Sequence, residues 1–114
     1  MQARITTLIK GKNMKSSDIA KMIETCIEAR RYVVSQSSHA AQMVNAISEQ
    51  LTKLNQDWHV STVDLVHRLR ENLEVGVQYS QVNPDVLAAY LYTTAFELRV
   101  YQGRLEQEEG ENIS

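Results

Sequence analysis

The sequence is short of everything that interrupts a helix. It holds one proline and four glycines in 114 residues, and three of the glycines, Gly11, Gly103 and Gly110, lie toward the ends. In a helix interior Gly costs about 1 kcal/mol and Pro about 3 kcal/mol relative to Ala, so a middle with so few of them reads as helical. Cysteine is nearly absent too. The single Cys26 cannot close an internal disulfide, which favours a reducing compartment. No run approaches the roughly 20 apolar residues of a membrane span. Residues 1–10 lack the apolar stretch of a signal peptide, so a cytoplasmic location is expected, with export lacking a cleaved leader left open. Charge of one sign is also missing. Twelve basic residues stand against 14 acidic ones for a net −2, too even to point to nucleic acid from bulk charge.

Apolar residues make up 43% of the chain, enough for one modest core and too many for a chain disordered throughout. Residues 1–15 read as a flexible basic arm, with Arg4, Lys10, Lys12 and Lys15 and a break at Gly11-Lys12-Asn13. Residues 16–107 read as one helical bundle domain, and 108–114 as an acidic disordered tail, because acids at a helix C-terminus oppose its dipole.

Ser16-Ser17-Asp18 offers an N-cap for the first helix. From there Ile19, Cys26, Val33, Ala40, Ile47 and Leu54 recur every seventh residue. Four positions after each come Ile23, Arg30, Ser37, Val44, Leu51 and Trp58. A sustained seven-residue repeat indicates a helix that supercoils against another. One helix over 16–58 is the favoured reading, roughly 60 Å long at about 1.5 Å per residue. The polar run Ser35-Gln36-Ser37-Ser38 is its weak point, and a break there gives two helices and a four-helix bundle instead. Trp58 to Thr62 reads as a turn, with Ser61 and Asp64 spaced as a capping box. The next helix carries Val63, Val66, Leu69, Leu73 and Val77 and fades at Gly76. Asn83-Pro84-Asp85 is the sharpest boundary: an N-cap, a Pro at the first helical position and an acid suited to the helix dipole. The fold class is therefore all-α, a long N-terminal helix packed against two shorter ones, with a dimer expected.

The last helix is apolar on two sides. Leu87, Leu91, Thr94, Leu98, Tyr101 and Leu105 form one stripe. Tyr92, Phe96 and Val100, with Ala89 and Gly103, form the opposite one. A short chain can cover only one of these, so the second points to an interface with another copy or another protein. Ala89, Tyr92, Phe96 and Val100 are the candidate partner-binding residues. Arg30 joins them as a charge interrupting the apolar seam, which must find a partner or reach solvent along its stem. Ile19, Cys26, Val33, Ile47, Leu54, Leu87, Leu91 and Leu98 are the candidate core or dimer seam.

Catalytic motifs are lacking. Asp64, His67 and Glu71 share one helix face at i, i+3 and i+7, yet no second cluster of ligands accompanies them, so no metal or cofactor is expected. His59 sits beside Trp58 at the turn, where packing is the expected role, and His39 follows the serine run with no evident acidic or cysteine partner. Cys26 sits at a seam position, where a thiol behaves as a small apolar group. No Gly-rich phosphate loop and no Cys-X-X-Cys pair is present. Arg30-Arg31 and His67-Arg68-Leu69-Arg70 are the internal basic clusters, and the nearby Asp64 and Glu71 would face phosphates badly.

The layout of long helix, tryptophan turn and returning helix resembles the Trp-X-Gly family of small helical hairpins exported by type VII secretion. The turn here reads Trp58-His59-Val60 without the glycine. Tyr101 is followed four residues on by Leu105 where that family's C-terminal signal has an acid, so the resemblance is not adopted. The expected function is a non-enzymatic regulatory interaction module, of the antiactivator or adaptor type, that sequesters a partner such as a transcription regulator. A secretion chaperone or small secreted hairpin is the alternative, and a dimeric DNA-binding regulator the second.

Overall fold

The structure, a computed structural model, describes the backbone of residues 14–54 and 60–113, with side chains through Gln107 apart from residues 60–62. The arm before Met14 and the turn with Trp58 and His59 lie outside the described residues, as do the side chains of Ser61 and of the acidic tail. The all-α expectation holds: the described residues form four helices, with no strand among them. These are α1 (Ser16–Tyr32), α2 (Ser37–Leu54), α3 (Val60–Tyr79) and α4 (Pro84–Ile113). None is long and apolar enough to cross a membrane.

The single helix expected over 16–58 is two helices. The chain turns at Val33–Gln36, where the Gln36 N–H donates to Tyr32 O at 2.8 Å. Gln36 O then accepts the Ala40 N–H at 3.0 Å, the first bond of α2. The heptad register survives the turn, since Val33 and Ala40 are both buried. A pattern that reads as a coiled-coil seam toward another chain is thus satisfied when α1 and α2 fold back on each other. α1 starts one residue earlier than its serines suggest. Lys15 is the N-cap residue and its N–H donates to Asp18 Oδ2 at 3.0 Å, which also places the carboxylate in the positive first turn. α4 begins as its sequence indicates, with Asn83 Oδ1 accepting the Asp85 N–H at 3.1 Å ahead of Pro84. It continues through Ile113, past the expected end near 107.

The helices close into a ring. α4 lies between α1 and α3, and α2 lies between the same two on the far side. Successive helices run antiparallel through short connections, the up-and-down arrangement of a four-helix bundle. The start of α1 therefore meets the later part of α4, where Gln102 Nε2 donates to Ser16 O at 3.4 Å. All the candidate seam residues enter one shared core: Ile19, Cys26, Val33, Ile47, Leu54, Leu87, Leu91 and Leu98 are buried, with Val66, Leu69 and Leu73 from α3. Val63, expected with them, is 48% exposed. Thr94 is fully buried and satisfies its hydroxyl by donating to Tyr90 O at 2.8 Å.

Gly76 marks a close approach between α3 and α4. A Cβ there would lie 3.0 Å from Leu87 Cδ1 and 3.2 Å from Leu87 Cα, and the backbone atom cannot swing aside. Gly103 is the opposite case, with nothing within 4 Å of its Cβ position. Gly76→Ala is expected to destabilise by about 1–3 kcal/mol through overpacking, although Ala is the better helix former. Gly103→Ala is expected to leave stability unchanged or raise it by up to about 1 kcal/mol. Urea unfolding of the two variants checks the pair, and equal shifts would contradict the close approach.

Candidate interaction surface on the last helix

Helix α4 divides its apolar residues between two surfaces. At 100° per residue, Leu87, Leu91, Thr94 and Leu98 point into the ring and are at most 2% exposed. The other stripe faces outward. Tyr92 and Phe96 are each 60% exposed and Val100 is 51% exposed, with Ala89 and Gly103 exposed at the two ends. None of the crest belongs to the buried core, and among the described residues nothing buries it.

Each flank of the crest is defined by a neighbouring helix. On the α1 side, the Arg30 guanidinium lies over the Tyr92 ring, 5.3 Å from its centroid. The sequence marks Arg30 as a charge in an apolar seam. The fold turns that position outward, and the charge rests on the electron-rich face of an aromatic ring from another helix. On the α3 side, Phe96 and Val100 form one wall of an open groove of about 630 Å³, with Leu65, Asp64 and Arg68 on the other wall. Arg68 and Glu97 form an ion pair across it. Four of the predicted partner-binding residues, Ala89, Tyr92, Phe96 and Val100, thus share one crest, and Arg30 stands beside it. The groove residues of α3, Asp64, Leu65 and Arg68, were not read as partner-binding from sequence, since only the packing of α3 on α4 brings them to Phe96.

The candidate chemical residues do not assemble. Asp64 lines the groove facing α4, whereas His67 and Glu71 line the opposite groove, between α2 and α3. All three are exposed along the outward side of α3, at the spacing of one helix face. His67 Nε2 and Glu71 Oε2 lie 3.2 Å apart on the exposed surface of α3. Among the described residues no three of His, Cys, Asp and Glu gather as a metal site would require. His39 packs edge-on against Tyr32, ring centroids 4.7 Å apart, bridging the α1–α2 turn. Cys26 is fully buried, and burial pushes its thiol from the ordinary 9.0 up to about 12.

Comparison with family models, with curated proteins and with solved structures returns no match. The geometry of the chain therefore carries the functional argument alone.

Two outcomes are expected from these burials. Phe96→Asp should cost less than about 1 kcal/mol, while Leu98→Ala on the inner face should cost about 2–5 kcal/mol. Denaturant midpoints of the two variants measure the difference, and comparable losses would mean that the crest belongs to the core. The Cys26 thiol should resist alkylation in the folded protein and react on unfolding. Its raised folded pKa stabilises the protein below pH 9.0, and that contribution is lost as pH rises toward about 12. Alkaline unfolding of Cys26→Ala, which lacks this term, isolates it.

Proposed function

We propose that the protein is a non-enzymatic regulatory interaction module that holds a partner protein on the outer crest of α4, as an antiactivator or adaptor does. The observation that carries this reading is the half-exposed row Tyr92, Phe96 and Val100 on a helix whose opposite side already closes the core. Leaving such side chains in water forfeits roughly 1.5–3 kcal/mol for each that a partner could bury. Aromatic residues are enriched in interface cores, and a straight apolar row beside a groove suits a partner helix laid alongside it. Arg30 and Arg68 border the row and can fix the orientation of what binds there. A transcription regulator is the target class this reading favours, on the size and class of the chain.

Affinity capture from the native host with the wild-type chain and with Phe96→Asp tests the reading. A partner recovered by the wild type and confirmed with purified components should be lost, or weakened at least about tenfold, in the variant. The variant should retain its helical content and unfolding midpoint. A partner that binds both chains equally would place the docking surface elsewhere.

A further inference from the structure

The charges beside the crest narrow the chemistry of its partner. Between Ala89 and Arg104 the crest is bordered by Arg30 of α1, Arg68 of α3, and Arg99 and Arg104 of α4 itself. Against them stand the carboxylates of Asp64 and Glu97. Glu97 is already paired with Arg68. Among the described residues no carboxylate lies within ion-pair distance of Arg30, Arg99 or Arg104. Asp85 and Glu106 lie beyond the two ends of this stretch. The whole chain carries a net charge of −2, whereas the residues named here are four arginines against two carboxylates.

We infer that the crest takes an amphipathic helix of another protein whose apolar stripe is bordered by Asp and Glu. The inference rests on the docking reading above and adds the partner's charge to it. An apolar stripe covers Tyr92, Phe96 and Val100, and one row of its side chains enters the groove walled by Leu65 and Phe96. The acidic borders then meet the guanidinium groups, whose planar forks match carboxylates in two parallel hydrogen bonds. A second copy is a poorer occupant. A two-fold contact sets a patch against itself, and Phe96 stands midway between Tyr92 and Val100. An antiparallel pairing centred on Phe96 sets Val100 of one copy opposite Tyr92 of the other and Arg99 opposite Thr93, one residue from the ring on which Arg30 lies, so like charges meet. An anionic membrane is poorer also, because Asp64 and Glu97 in the groove would face its phosphates.

The test uses two synthetic peptides of roughly 20 residues, long enough to hold a helix in water. Both carry the same Leu stripe at i, i+3, i+4 and i+7, one bordered by Glu and the other by Lys. Titrated against the full chain by fluorescence anisotropy at low salt, the Glu peptide is expected to bind about tenfold more tightly. The preference should shrink as salt is added. It should reverse in the double variant Arg99→Glu/Arg104→Glu, in which both altered side chains are exposed. Equal binding, tighter binding of the Lys peptide, or binding of neither overturns the inference. So does sedimentation as a dimer that Phe96→Asp dissociates, which assigns the crest to a second copy. Binding to phosphatidylglycerol–phosphatidylcholine vesicles with no binding of the Glu peptide assigns it to a membrane and also overturns it. If Phe96→Asp loses the native partner but the peptides show no charge preference, the charge assignment alone fails. If Phe96→Asp keeps the native partner, the docking reading fails with it.

Discussion

The bundle depends on how α4 is seated between α1 and α3. Its inner stripe supplies Leu87, Leu91, Thr94 and Leu98 to the core, and both neighbouring helices close onto it. Gly76 lets α3 come within a methyl group's width of the α4 backbone. Because α1 and α3 each cover one flank, α4 can turn only a narrow strip outward, and that strip is where Tyr92, Phe96 and Val100 lie. The seating of one helix therefore determines both what is hidden and what is offered.

The parts of this arrangement that were legible in the sequence are those fixed locally or by period. Asn83-Pro84-Asp85 starts α4 because each residue acts on its own backbone. The positions from Ile19 to Leu54 are buried as the seven-residue spacing indicates. The same spacing hid the turn at 33–36. Val33 keeps helical backbone angles, and the register runs on to Ala40, so nothing in the period marks the reversal. The weak propensity of Ser35 to Ser38 was the one available signal. Other features lie outside what periodicity can reach. Gly76 sits inside α3 against Leu87, and Arg30 meets Tyr92, only because the chain folds back on itself.

Two kinds of polar environment coexist in the molecule. Inside, the polar side chains are few and settled. Thr94 bonds to the turn before it, and Cys26 holds its proton because no water or cation reaches it. Outside, arginine charge is left beside an apolar row, with Arg68 alone among the four bordering arginines paired to a carboxylate of the described residues. Guanidinium groups are weakly hydrated for cations and lose comparatively little when a partner displaces their water. That property is what the proposed docking of a partner helix draws on.

The placement of Phe96 and Leu98 on opposite sides of one helix separates two selective pressures. A change at Leu98 acts on the core, while a change at Phe96 acts on the outer surface and, under the proposed docking, on what that surface recognises. Under the proposed docking, recognition can therefore be retuned one outward residue at a time on a core that does not register the change.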